Sequence, residues 1–134
     1  MGYRSDVAYT IRFVDDHDTN NEQSFYTFLA EAKANPQCAI ALAEVEIDTK
    51  RQRFNFSADG VKWYENYPEV ISHTALFAQA RSWADQMSQE KMFCRIGAIF
   101  MRLGDELDDC EEIGAGDYDW EWIRVSRQIV TDWS

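Results

Sequence analysis

The stretch FCRIGAIFMRL (93–103) decides the fold, because its side chains are apolar at both parities of a strand. Successive side chains of a strand point to opposite faces of the sheet, so such a segment suits a strand that is covered on both sides. One face would carry Phe93, Ile99, Met101 and Leu103, and the other Cys94, Ile96, Ala98 and Phe100. The sequence therefore predicts a central strand at 93–103.

Two segments near the start of the chain predict a half-buried strand followed by a helix. Over 6–14, apolar and polar side chains alternate, which is typical of a strand with one buried face. Over 22–34, apolar side chains recur at helical spacing, and the helix is expected to end near Asn35-Pro36 because the residue before a proline disfavours helical backbone. The polar segment DDHDTNN (15–21) between them predicts a turn.

The middle of the chain predicts three short strands and a second helix. Residues 41–48 alternate in polarity, and RFNFS (53–57) places two phenylalanines on one face, which predicts a β-hairpin with one solvent-exposed face. Asp59-Gly60 predicts a tight turn that leads into a further strand at 61–64. A proline near the first turn and an acid after it predict that a helix begins at 66–69, and an apolar stripe continues it.

The segment YDWEWIRVSRQIVT (118–131) is rich in β-branched and aromatic side chains and predicts a last strand, antiparallel beside 93–103. The element order is then β-α-β-β-β-α-β-β. This order predicts an α+β domain in which two helices pack on one face of an antiparallel sheet. A length of 134 residues is typical of one domain, so the whole chain, 1–134, is assigned to it.

The negative charge is concentrated in one segment. The chain has a formal net charge of -11, from 24 acids and 13 bases. Nine of the acids, and no lysine or arginine, lie in 105–121: Asp105, Glu106, Asp108, Asp109, Glu111, Glu112, Asp117, Asp119 and Glu121. The other 15 acids nearly balance the 13 bases. The arginines on the flanking segments, Arg102 among them, are expected to partner these acids.

Several functions fit an acidic segment of this kind. It can be a solvated loop that keeps the protein soluble, or a patch that docks on a basic surface of another macromolecule. A third interpretation is a divalent-ion site formed by the carboxylates of 105–112, although the residue order of an EF-hand loop is absent. Catalytic carboxylates are disfavoured, because glycoside hydrolysis needs two acids in opposed environments across a cleft.

Other features argue against whole classes of function. The motifs GxGxxG, GxxxxGK[ST], HExxH and GxSxG are absent, and the three cysteines are too widely spaced for a zinc knuckle. We therefore predict neither an enzymatic activity nor a cofactor. The excess of acids argues against direct nucleic-acid binding. No stretch is long and apolar enough to predict a membrane span.

Three stretches of the chain resemble proteins of one kind. MGYRSDV (1–7), FMRLGDELDDCEE (100–112) and IRVSRQI (123–129) are similar to segments of small accessory proteins from tailed bacteriophages and prophages. Those proteins are mostly of unassigned function. The resemblance therefore implies a non-enzymatic accessory role in the cytoplasm of a bacterial host, and it names no target and no catalytic residue.

The leading hypothesis is a phage-encoded acidic protein that modulates or inhibits a host or phage macromolecule, such as a defence or transcription component, by occluding a basic surface. Tryptophan often anchors interfaces, so two tryptophans join the predicted site. The predicted partner-binding residues are Asp105, Glu106, Asp108, Asp109, Glu111, Glu112, Asp117, Asp119, Trp120 and Trp122. The alternatives are a divalent-metal or small-molecule-binding protein that uses the carboxylates of 105–112, and a self-associating structural protein that forms a homodimer.

Overall fold

In the computed structural model, which describes residues 4–14, 21–90, 95–104 and 109–123, five strands form one antiparallel sheet. The strands are β1 (Ser5–Val14), β2 (Glu46–Asp48), β3 (Arg53–Val61), β4 (Arg95–Gly104) and β5 (Cys110–Gly116), in the spatial order β2-β3-β1-β4-β5. The helices are α1 (Asn21–Ala34), α2 (Ala39–Glu44) and α3 (Pro68–Glu90), with 3₁₀ turns at Pro36–Cys38 and Trp120–Trp122. The predicted α+β class is confirmed.

The main core lies between one face of the sheet and the helices. Tyr9, Ile11 and Phe13 of β1 are at most 3% exposed, and Ile96 of β4 lies on the same face. Both long helices contribute apolar side chains to this core: Phe25, Phe28, Leu29 and Ala32 from α1, and Leu76, Phe77, Ala80, Trp83 and Ala84 from α3. The prediction that two helices pack on one face is confirmed, and the short α2 adds Ala41 to the same core.

The opposite face of β4 is covered as well. Ile99 is buried there and pairs with Gly114 of β5. A Cβ on Gly114 would lie 2.5 Å from the ring of Tyr118, and the ring of Trp122 packs in a similar way over Gly97. The segment that follows β5 therefore lies across this face. β4 is an inner strand covered on both sides, as its sequence predicts, although β1 takes the middle position in the sheet.

Residues 41–48 do not form the predicted strand. Helix α2 takes the first part, and only Glu46–Asp48 pair with β3. Alanine and leucine favour helix, and an alternation built on alanine says little about burial because alanine is small. The hydroxyl of Ser72 in α3 accepts a hydrogen bond from the N–H of Ala41 (2.8 Å), which holds α2 in place. The predicted hairpin exists in shortened form, as β2 and β3.

Asp59-Gly60 does not form the predicted tight turn, because β3 runs through it. Gly60 has a φ of 63° and lies where the pairing register of β1 and β3 shifts. Its N–H donates to Oδ1 of Asp6 (2.8 Å), and its carbonyl accepts from Nη1 of Arg4 (2.7 Å). Glycine thus supplies an irregularity inside a strand at little steric cost. The predicted strand at 61–64 is wrong, since β3 ends at Val61.

The strand that returns beside β4 is β5 rather than 118–131. It falls inside the segment predicted as an acidic turn, and it pairs with β4 from Gly97 to Leu103. A short hairpin connection costs less closure entropy than a longer return. Residues 118–123 contain a 3₁₀ turn instead of a strand, while 124–131 and most of the predicted turn at 15–21 lie outside the described residues. The described sheet therefore has five strands where the sequence predicts six.

Candidate functional site

The acids of the predicted partner-binding set do not share one surface. Three of them lie outside the described residues: Asp105, Glu106 and Asp108. Glu111 pairs with Arg102 in the β4–β5 register and lies on the helix-covered face of the sheet. Glu112 pairs with Met101 and lies on the opposite face. The alternation of β5 therefore divides neighbouring acids between the two faces.

Arg102 is held by the acids on the helix side. Its Nη1 and Nη2 donate to the two carboxylate oxygens of Asp109 (3.2 and 2.9 Å), and its Nε donates to Glu111 (2.9 Å). Nη1 also donates to the hydroxyl of Ser5 (3.1 Å). These contacts, the hydrogen bonds to Asp109 first, raise the pKa of Arg102 above its ordinary value. The prediction that Arg102 partners the acids is confirmed.

The other predicted residues lie in 117–123, on the face opposite the helices. The main-chain N–H of Asp117 donates to β4 (2.8 Å), and the carbonyl of Asp119 accepts from the N–H of Trp122 (3.0 Å). Trp120 is 43% exposed, and its ring packs edge-on against Tyr118 with centroids 4.9 Å apart. Trp122 is half-buried. Trp120 is therefore accessible to a partner, whereas Trp122 takes part in packing within the protein.

A cleft of about 750 Å³ lies on the helix side, between α3, the chain at 63–65 and β4–β5. Its wall is aromatic: the ring centroids of Phe77 and Phe100 are 5.8 Å apart, and those of Trp63 and Phe100 are 6.3 Å apart. Ile71 also lines the cleft and is 44% exposed. The charged side chains of the lining are Glu65, Arg81, Arg102, Asp109 and Glu111. An apolar wall and a fixed ionic cluster thus meet in one concave site.

The residues predicted from the sequence make up only part of this cleft. Asp109 and Glu111 belong to the predicted set, but Ile71 and Arg102 do not. One local signal for Arg102 exists: it has the same strand parity as Phe100, so it is a charged side chain on the buried face of an inner strand. A charge in such a position is expected to be paired. No comparable signal separates Ile71 from the rest of its helix.

A series of hydrogen bonds, Tyr9–His73–Glu44, forms a second cluster of titratable groups and runs from the core to the exposed Glu44. The hydroxyl of Tyr9 lies 2.6 Å from Nδ1 of His73, and Nε2 lies 2.7 Å from Oε1 of Glu44. A neutral imidazole that accepts from Tyr9 and donates to Glu44 satisfies both contacts. Burial raises the pKa of Tyr9, and it lowers the pKa of His73 against the opposing effect of Glu44. Because Tyr9 and His73 are each 1% exposed, we interpret these hydrogen bonds as structural.

The free energy of unfolding is expected to fall from pH 7 to pH 5 because of His73. The unfolded chain binds a proton near the ordinary pKa of 6.5, whereas the folded state binds it only at lower pH. The unfolded state therefore holds more protons in this window, and the slope reaches at most about 1.4 kcal/mol per pH unit. Urea unfolding at several pH values measures it. The variant His73→Gln should have a shallower slope, and an unchanged slope would contradict the assignment.

Metal binding gains no support from the described geometry. Over 4–14, 21–90, 95–104 and 109–123, no group of three His, Cys, Asp or Glu side chains is placed to hold an ion. Asp109 and Glu111, which belong to the alternative ion site at 105–112, bind Arg102.

Among the helices that the structure describes, none is both long enough and apolar enough to cross a membrane.

Comparison with known proteins finds no matching family model, no matching curated protein and no matching solved structure.

Proposed function

We propose that this protein binds a basic partner protein through the cleft and thereby blocks a surface of that partner. The proposal rests on one observation. The two acids that pair with Arg102, Asp109 and Glu111, line a cleft whose wall is aromatic. Protein interfaces combine an apolar centre with a polar rim. The cleft offers both, and hydrogen bonds already fix Arg102, Asp109 and Glu111 in place.

The apolar part of the cleft favours a partner with an aliphatic or aromatic anchor. Trp63 and Phe100 line the wall, and Ile71 is exposed beside them. Apolar surface in contact with water is unfavourable, and an inserted partner side chain would cover it. Large side chains seated in such pockets dominate the binding free energy of many interfaces.

The charge around the cleft favours a partner with lysine or arginine next to that anchor. Glu65, Asp109 and Glu111 line the cleft together with two arginines, and one of these, Arg102, already binds two of the acids. The wider segment 105–121 adds more acids and no base. A surface of this sign attracts basic partners over a distance and repels acidic ones.

The proposed role is that of a modulator or inhibitor, in which occupation of a basic surface keeps another ligand, such as a nucleic acid, from it. The resemblance to accessory proteins of tailed bacteriophages and prophages extends the proposal to the target. That target would be a host or phage macromolecule, such as a defence or transcription component, in the cytoplasm of an infected bacterium. The proposal contains no catalytic step.

A designed peptide tests the cleft directly. The probe is a short fluorescent amphipathic helix of lysine and leucine, and binding is measured by fluorescence anisotropy. Ile71→Glu should weaken binding at least about tenfold, or about 1.4 kcal/mol. Ile40→Glu is the matched control, because Ile40 is 41% exposed on α2 and does not line the cleft. Equal binding by the two variants would contradict the proposed site.

The salt dependence of the same binding tests the role of the acids. Glu111→Gln should reduce the loss of affinity with rising salt, because Glu111 lines the cleft. Glu112→Gln removes the same charge on the opposite face of β5 and should change the salt dependence less. A peptide with glutamate in place of lysine should bind at least about tenfold more weakly. Tight binding of that peptide would contradict the electrostatic part of the proposal.

A further inference from the structure

A second cavity, of about 470 Å³, lies where side chains of β1 and β3 point away from the main core. Its lining includes Thr10 and Arg12 of β1, Asn55 of β3, and Trp122. It shares no lining residue with the cleft described above. A ligand in this cavity would therefore be independent of the proposed protein partner.

The polar wall of this second cavity is fixed by a series of hydrogen bonds. Nε of Arg12 donates to the hydroxyl oxygen of Thr10 (3.1 Å), and that hydroxyl donates to Oδ1 of Asn55 (2.7 Å). Nδ2 of Asn55 in turn donates to Oε1 of Glu46 (3.0 Å). The guanidinium of Arg12 also lies over Trp122, 4.5 Å from the ring centroid. The orientation of Arg12 is thus set without a ligand.

Arg12 retains hydrogen-bond donors that the described protein does not use. Stacking on Trp122 occupies the face of the guanidinium and leaves the N–H groups in its plane. Among the described residues, the side chain of Arg12 forms no salt bridge, and its only hydrogen bond is the one from Nε. Arg53 lies directly opposite on β3 and likewise has no salt bridge in the described ranges. Burial and the charge of Arg53 lower the pKa of Arg12.

Together, these features are typical of an anion-binding site. A half-buried guanidinium beside a like charge, with no acid bonded to it, is less favourable than one with a counter-ion. We propose that the second cavity binds a small molecule through a phosphate or carboxylate group, which the Nη1 and Nη2 groups of Arg12 hold. The planar fork of arginine matches two oxygens of either group.

The acids of the same cavity limit the kind of ligand. Glu44 and Glu46 line it together with Arg12. Their charges would repel a long polyanion, whereas a small ligand with one or two negative charges can approach Arg12 alone. The hydroxyl of Ser57, which also lines the cavity, is available to a polar group of such a ligand. A small oxyanion is therefore favoured over a nucleic-acid backbone.

Titration of the protein with phosphate, and separately with acetate, tests the proposal. Each is compared with chloride at equal ionic strength, and the indole N–H resonances of the tryptophans report binding. We expect saturable binding of at least one of the two anions. Arg12→Gln should weaken it at least about tenfold. Arg51→Gln, which removes an exposed arginine of the turn before β3, should leave it unchanged.

Three results would overturn the proposal. The first is that neither anion binds the unsubstituted protein saturably, a result that does not depend on whether any variant folds. The second is equal binding by Arg12→Gln and Arg51→Gln. The third is tighter binding of a single-stranded oligonucleotide than of phosphate, which would assign the arginines to a nucleic-acid backbone instead.

Discussion

Replacement of Gly97 by alanine is expected to lower the free energy of unfolding by about 3 kcal/mol. Gly97 lies in β4, opposite Gly116 of β5. A Cβ at this position would collide with the main-chain carbonyl of Asp117 and lie 2.9 Å from the ring of Trp122. Main chain cannot turn aside as a flexible side chain can, so the segment that follows β5 would have to shift. Urea unfolding followed by circular dichroism measures the effect.

Gly114→Ala is the matched control for this substitution. It adds the same methyl group to the adjacent strand, and its nearest neighbours would be ring atoms of Tyr118. That ring is 37% exposed and can rotate away, so the expected cost is only about 1 kcal/mol. Equal costs for Gly97→Ala and Gly114→Ala would contradict the close contact between Asp117 and β4.

Arg102→Met is expected to lower the free energy of unfolding by about 3 kcal/mol, because it leaves two carboxylates without their cation. Methionine keeps an unbranched apolar side chain next to the cleft, so the loss reports mainly on the charge. The side chain of Arg102 is 16% exposed and that of Asp109 is 33% exposed, so water screens this pair only in part. Urea unfolding at low and at high salt measures the cost.

A double-mutant cycle separates the two acids that bind Arg102. Asp109 accepts two hydrogen bonds from the guanidinium, whereas Glu111 accepts one and is 52% exposed. The coupling of Arg102→Met with Asp109→Asn is expected to be about 1–2 kcal/mol, and that with Glu111→Gln below about 1 kcal/mol. A larger coupling for Glu111 would contradict the ranking of the two acids.

Elements with a long repeat of buried positions are predictable from the sequence, because a single exception does not change the pattern. Strand β1 has ten residues, and helices α1 and α3 each have at least fourteen. Helix α2 has six residues and strand β2 has three. Over such lengths, helical and strand patterns fit the same residues, which is why the sequence predicts a strand across both.

Strand β5 is not predicted from the sequence, and the reason is different. Its pattern combines acids at the edge of the sheet with two glycines, Gly114 and Gly116, and both features are typical of turns. Glycine is needed at position 116, where φ is 68° and a Cβ would meet the main chain of β4, and it is favoured at position 114, where the ring of Tyr118 lies against it. These contacts are made by β4 and by the segment that follows β5, so no property of β5 alone reveals them.

For the candidate cleft, too, the sequence shows which residues are present but does not show where they lie. The concentration of acids in 105–121 is visible in the sequence, and so is the presence of arginines on either side. Glu111 and Glu112 are identical neighbours in the sequence, yet only Glu111 lines the cleft. The difference comes from the register of β5 against β4, which places one acid beside Arg102 and the other beside Met101.

The sequence by itself determined the α+β class, the packing of the long helices on one face and the concentration of negative charge, because these depend on local periodicity and on counting. Only the tertiary structure decided which acids Arg102 binds. It also decided that Trp120 stays exposed while Trp122 packs under Arg12. The contact of Arg12 with Trp122 joins residues far apart in the chain, whereas Arg102 and its two acids lie on the adjacent strands β4 and β5. Their physical basis is the pairing register and the close approach over glycines, which local patterns do not specify.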